Sequence, residues 1–256
     1  MKRTKKIMAR KVSRKKSKSM KKRSKRKLEK IKKRRTKKRR RIKKIKKQDI
    51  VKIGNIYCLL GKGADCNTYV VKDKKNMLVD PGLVSKANKL KKIKLSSNKI
   101  HFVVNTHCHY DHSATNRLYK KSKIIAHKNA VKALENAGRE CLVELYSGEM
   151  KKSINVKEIP KELDLGKSKF KVLYTPGHTK GSISLYEPKL KVLICGDLAF
   201  AYGWVGNTIY PGGSATDLKK SVRKISKLNV KYLLPGHGPL GTGNSVKKAL
   251  ETVKRM

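Results

Sequence analysis

Three of the chain's seven histidines fall in one run, Thr106-His107-Cys108-His109-Tyr110-Asp111-His112. The pattern H-x-H-x-D-H follows an apolar stretch, residues 100–104, that reads as a buried strand. A strand that ends in a loop with alternate histidines can aim two imidazoles, His107 and His109, at one cation. The Asp111-His112 pair can then reach a second. The alternative is a solvated His-rich turn, which the strand-end context disfavours. The remaining ligands of such a centre must come from elsewhere in the chain.

Three other strand-like runs supply candidates. Residues 170–174 lead into Thr175-Pro176-Gly177-His178-Thr179, residues 191–195 end in Gly196-Asp197, and residues 231–234 end in Pro235-Gly236-His237-Gly238. Each polar residue lies just past an apolar run, where active-site loops are normally hung. Each also has a glycine beside it, which lets backbone approach closely where side chains converge.

Together with Leu78-Val79-Asp80-Pro81-Gly82 after an early hairpin, these motifs resemble those of the metallo-β-lactamase superfamily, over roughly residues 50–242. The resemblance implies an α/β (α+β) fold, a four-layer αββα sandwich with the site at one edge. It implies one metal held by His107, His109 and His178, a second held by Asp111, His112 and His237, and Asp197 bridging the two. Imidazoles and carboxylates suit zinc, and also iron or manganese, so the expected cofactors are two divalent ions with zinc preferred. Two cations about 3.5–4 Å apart can share a hydroxide near neutral pH and polarise a carbonyl or phosphoryl oxygen. No serine or cysteine nucleophile is then needed. Asp111 is the catalytic candidate, orienting the hydroxide or assisting proton transfer.

The subfamily is read from finer marks. Family members that degrade β-lactams generally lack the bridging aspartate, so Asp197 argues for a thioester, ester or lactone hydrolase, or an RNA-processing enzyme. Residues 196–200, Tyr210-Pro211-Gly212-Gly213-Ser214 and a helix-like stretch, residues 215–228, look like glyoxalase II-type enzymes. That group often carries Gly-Arg-x-Asp before its Pro-Gly-Gly, where this chain reads Gly206-Asn207-Thr208-Ile209. Only residues 242–256 follow the last motif, so the C-terminal glutathione-binding domain of glyoxalase II is not expected. The favoured function is hydrolysis of a small thioester, ester or lactone. The runner-up is a nucleic-acid phosphodiesterase.

Charge divides the chain. Residues 1–47 hold 30 Lys or Arg against the single acid Glu29, while the remaining residues hold 38 basic and 16 acidic side chains. Residues 1–47 also lack any aromatic, so they cannot bury enough apolar surface to fold alone. We expect a disordered or partly helical basic tail, residues 1–47, ahead of a hydrolase domain, residues 48–256. The tail's expected partner is nucleic acid or the ribosome, contacted non-specifically through phosphates. An upstream start misread as part of the gene is the competing explanation. No stretch reaches the ~18 apolar residues of a membrane span, and no apolar core follows the N-terminal charges. Cys58, Cys66, Cys108, Cys141 and Cys195 are odd in number and unpaired in spacing, which argues for a reducing, cytoplasmic setting.

The pattern predicts antiparallel strands at residues 50–60, 68–71 and 77–79, and a basic helix over 83–95. It predicts a strand over 100–105, a helix starting at 112–119, and a short strand at 124–126 followed by helices to 145. Residues 150–168 read as polar with a turn at Pro160, and helices are expected over 215–228 and 245–253. Cys108 is expected to point away from the metals, and Cys195 to lie in the core. His127 and His101 are read as structural. Tyr110, Tyr202, Tyr210 and Lys180 are placed near the site without an assigned role.

Overall fold

A computed structural model describes residues 50–146, 153 and 155–256. The expected basic tail, its helicity, its nucleic-acid contacts and its boundary with the domain lie outside the described residues.

Two sheets pack face to face. The first runs in sequence order through β1 (Ile50–Ile53), β2 (Ile56–Leu59), β3 (Thr68–Val71), β4 (Met77–Val79), β5 (Phe102–Val104), β6 (Lys123–Ala126) and β7 (Lys157–Glu158). Its first four strands are antiparallel, and from β4 to β7 the pairing is parallel. The second contains β8 (Glu162–Asp164), β9 (Lys169–Tyr174), β10 (Ile183–Glu187), β11 (Val192–Gly196), β12 (Tyr232–Pro235) and β13 (Gly241–Thr242), in the order β13-β12-β11-β10-β9-β8. The helices are α1 (Ala87–Lys92), α2 (Tyr110–Ser113), α3 (Lys128–Asn136), α4 (Ala215–Ser226) and α5 (Gly243–Arg255).

The period-2 alternation of strand side chains sorts three cores. Tyr69, Val71, Met77, Val79 and Val104 of the first sheet meet Phe170, Leu185, Val192, Ile194 and Leu234 of the second. Val70, Leu78, Val103 and Ile124 turn outward onto Leu90 of α1 and Ala130 and Leu134 of α3. Leu193, Cys195 and Leu233 turn outward onto Leu218, Val222 and Ile225 of α4 and Val246, Ala249 and Val253 of α5. The result is the αββα sandwich, with strands apolar on both faces because both are covered. Removing one fully buried leucine such as Leu185 from the central layer costs about 2–5 kcal/mol.

Some elements differ from the sequence reading. Residues 50–60 form a hairpin rather than one strand: Ile53 pairs with Ile56, and Gly54 turns the chain at φ +58°. The helix expected over 83–95 shrinks to α1. Its would-be first turn is held in a loop, because the Leu83 N–H donates to Asp65 Oδ1 at 2.9 Å and buried Lys86 pairs with the same carboxylate. The helix expected over 112–119 begins earlier, at Tyr110, and stops after one turn. There the Thr115 N–H and hydroxyl turn back to Gly82 O at 3.1 and 3.0 Å. Residues 150–168 contain two short strands, β7 and β8, on either side of Pro160.

Candidate metal centre

The motif residues sit where strand ends from both sheets meet. Past β4, Asp80 adopts a left-handed conformation, φ +53°, and turns its carboxylate under the loop that follows β5. It accepts the Thr106 N–H at 2.8 Å and the Thr106 hydroxyl at 2.7 Å. Thr106 O in turn accepts the Ile183 N–H at 2.8 Å, lacing the first sheet to the second. The loop after β12 is fastened likewise. Gly236 N–H donates to Gly196 O at 2.7 Å, and Asn67 Nδ2 donates to Pro235 O at 2.9 Å and Gly238 O at 3.0 Å. The Tyr69 hydroxyl also donates to Pro235 O. In the loop between β9 and β10, Thr179 N–H donates to Ser182 Oγ at 3.1 Å.

Glycine is required at two of these crossings. A Cβ on Gly236 would lie 2.0 Å from Asp197 Oδ1 and 2.7 Å from His112 Cε1. A Cβ on Gly196, at φ +50°, would lie 2.4 Å from Thr106 Oγ1.

These fastenings bring all seven sequence-selected residues together. Ligand-type atoms group as His107-His109-His178, as Asp111-His112-His237, and as His107-His112-Asp197, each set within 4.8 Å. Asp197 lies between the first two groups. Its Oδ2 is 3.7 Å from His178 Nε2 and 3.7 Å from His237 Nε2, while its Oδ1 is 3.5 Å from His112 Nε2.

Surrounding hydrogen bonds fix which nitrogen of each ring faces inward. His178 Nδ1 donates to Asn207 O at 2.7 Å, and His112 Nδ1 donates to Asp80 Oδ2 at 2.9 Å. Because the Thr106 hydroxyl gives its proton to Asp80, His107 Nδ1 donates to Thr106 Oγ1, at 3.1 Å. Each ring is left with Nε2 turned into the site. There His178 Nε2 faces His109 Nδ1 at 3.0 Å, and His112 Nε2 faces His237 Nε2 at 3.2 Å. His107 Nε2, His109 Nε2 and Asp197 Oδ1 are buried and have no hydrogen-bond partner. Converging lone pairs, two carboxylates and orphaned buried acceptors are a donor set that fits divalent cations.

The electrostatics point the same way. Burial, reinforced by neighbouring imidazoles, pushes His107 well below its ordinary value and His109 down to about 3. Burial alone would raise Asp197, yet His112, His237 and His178 hold it well below the usual carboxylate range. Asp111 is lowered too, with His112 and His237 outweighing its burial. Burial would depress His112, but Cys66 and the carboxylates of Asp111, Asp197 and Asp80 override it and drive His112 well up.

Other singled-out residues fall into place. Cys108 is buried in the outer core of the first sheet, and Cys195 in that of the second. His127 caps α3, accepting the Asn129 N–H, and stacks on Tyr174 at 4.1 Å. His101 Nδ1 accepts the Asn76 N–H at 2.9 Å, away from the site. Tyr110 packs on Tyr146 at 5.8 Å, and burial, with the nearby Asp111 charge, raises the Tyr146 hydroxyl well above its ordinary value. Tyr210 stands edge-on to His109 at 6.3 Å, whereas Tyr202 is exposed against Trp204. Lys180 contributes its backbone carbonyl, which accepts the Tyr174 hydroxyl at 2.9 Å. The sequence reading had assigned no role to Asp80, Asn67, Tyr69 or Tyr146. For Asp80 a signal existed, since it lies in the Leu78–Gly82 motif. The others carry no local mark.

All five cysteines are free thiols, and no helix among the described residues is long and apolar enough to cross a membrane.

The sequence model of the family described as the Metallo-beta-lactamase superfamily matches residues 61–237. A Methanocaldococcus jannaschii protein named Probable metallo-hydrolase is 36% identical over 197 residues, covering 72% of this chain and 92% of that protein. A Haemophilus influenzae protein named Hydroxyacylglutathione hydrolase is 37% identical over 82 residues, covering 31% of this chain and 38% of that protein. Among solved structures, a B3 metallo-β-lactamase superposes with a TM-score of 0.64 at 26% identity, covering 77% of this chain and 96% of that one.

Proposed function

Because the chain belongs to the metallo-β-lactamase superfamily, we propose that it is a two-metal hydrolase of thioester, ester or lactone bonds in small molecules. The observation that carries this reading is the inward-facing donor set, with Asp197 set between two groups of three ligand-type residues. His107, His109 and His178 would hold one cation and Asp111, His112 and His237 the other, with Asp197 shared. Two such ions supply Lewis-acid polarisation of a carbonyl and acidify water toward neutral pH. Zinc suits the imidazole-rich set best, and iron or manganese would also be accepted.

The chain's own groups do the rest. Asp111 stays ionised beside His237 Nε2, 2.9 Å away, and would accept a proton from the attacking water. The Tyr146 hydroxyl, held protonated by burial and by the Asp111 charge, lies near that carboxylate. The bonded loops keep these groups in place before substrate arrives, which is where most of the catalytic advantage of such a site lies.

Acyl chemistry is supported by the Haemophilus hydroxyacylglutathione hydrolase match, while the aspartate between the two ligand sets argues only against β-lactam hydrolysis. The test is a panel of thioesters, esters, lactones, β-lactams and RNA, given to purified chain of known metal content. Metal-dependent acyl cleavage that Asp111→Ala reduces at least a hundredfold is the expected result. Turnover confined to RNA or to β-lactams would overturn the assignment.

A further inference from the structure

Ile209 is the most exposed large apolar side chain among the described residues, at 79%. It nevertheless sits on a fastened loop. Its N–H donates to Asn207 Oδ1 at 2.9 Å, and the carbonyl of that asparagine accepts His178 Nδ1 at 2.7 Å. The next residue, Tyr210, presents its ring to His109 at 6.3 Å and 88°, and Tyr210 O accepts the Gly213 N–H at 2.9 Å. Gly213 lies so close to Thr208 that a Cβ there would stand 2.2 Å from Thr208 O. Ser214 N–H closes the loop on Gly177 O at 2.8 Å. Ile209 is therefore bracketed by two residues that touch histidines of the metal centre, while its own side chain faces water.

A fastened loop that holds a bare isoleucine between two residues in contact with candidate ligands offers a subsite for apolar matter. Thr208, Ile209 and Tyr210 carry no charge, so a charged substituent laid on the Ile209 side chain would lose hydration against it. An aliphatic substituent would instead remove Ile209 and itself from water together.

We propose that Ile209, with Tyr210, forms the specificity-determining wall of the site, and that the substrate is a thioester or ester with an aliphatic acyl chain of several carbons. This inference rests on the acyl-hydrolase reading above. The acyl C–S or C–O bond breaks, water provides the new C–O bond, and the leaving thiolate or alkoxide takes the water's remaining proton. No oxidant or reductant is involved.

The test uses the full-length, metal-loaded chain. Four thioesters of one thiol, acetyl, butanoyl, hexanoyl and octanoyl, are compared with acetyl thioesters of progressively longer thiols. In the native chain kcat/KM should climb with acyl length, by roughly two- to fourfold per methylene until the wall is covered, mostly through KM. Ile209→Leu should keep the octanoyl-to-acetyl ratio. Ile209→Asp and Ile209→Ser should lower it at least tenfold, and two variants guard against a folding defect in one. A ratio unchanged in both polar variants, or a length dependence confined to the thiol series, would overturn the inference while leaving the acyl-hydrolase reading intact. Failure to cleave any of these thioesters, the matching esters or a lactone panel would overturn both, and is recognised by the flat zero across every acyl series.

Discussion

His112 donates its Nδ1–H to Asp80 Oδ2 across 2.9 Å, and both side chains are sealed from solvent at 0% and 1% exposure. The same carboxylate accepts two hydrogen bonds from Thr106, whose hydroxyl fixes His107. One aspartate thus sets ring orientation in both proposed ligand groups, one directly and one through a threonine.

Replacing that carboxylate should loosen both groups. Asp80→Ala is expected to weaken metal binding about 10- to 100-fold, with Asp80→Asn milder because it keeps an acceptor for His112. Competition with a chromophoric chelator reads the affinities. Full metal retention in Asp80→Ala would show that His112 holds its orientation without the partner.

Metal content itself is the next measurement. The purified chain should carry close to two transition-metal ions, and Asp197→Asn should lower occupancy of both positions because its oxygens approach both groups. His109→Ala should deplete only the first. Elemental analysis after dialysis against buffered metal distinguishes these patterns, and an Asp197→Asn protein with two tight ions would remove the bridging role.

Gly236→Ala tests the close approach of backbone to the site. The new methyl would collide with Asp197 Oδ1 and His112 Cε1, at 2.0 and 2.7 Å. We expect soluble protein with at least tenfold weaker metal binding and a melting temperature lowered by several degrees, consistent with an overpacking cost of about 1–3 kcal/mol. Calorimetry and metal titration on the same sample check both effects.

The thiols should be silent. Burial pushes Cys58 and Cys195 up to about 12 and Cys66 up to about 11, and the neighbouring Cys141 thiol, with burial, raises Cys108 as well. At pH 8 all four therefore stay protonated, and the thiolate is the reactive form. Ellman's reagent should find essentially no reactive cysteine in native protein and five in denaturant. Cys108→Ser should keep most turnover, since its sulfur lies in the outer core and not among the ligand groups. Rapid modification of native Cys108 with loss of activity would contradict that placement.

Local chemistry made much of this protein legible. H-x-H-x-D-H, and a histidine or aspartate beside glycine after three apolar runs, mark strand-end loops because ligands, turns and buried strands each leave a short-range signature. The resemblance carried by those motifs pointed to the four-layer fold, and the seven residues it named come together at the strand ends. Tertiary structure decided what no neighbouring residue encodes. Asp80 acts on His112 from 32 positions away, and Asn67 holds Pro235 from 168 away. The helix expected over 83–95 lost its first turn to Asp65, a competitor on another loop. In sequence Ile209 carries no mark beyond its aliphatic side chain. Only the bonded loop that pins its backbone, leaving its side chain in water, sets it apart. Hydrophobic periodicity fixes which face of an element is covered. Long-range hydrogen bonds and close backbone contacts fix where the chemically active groups finally point.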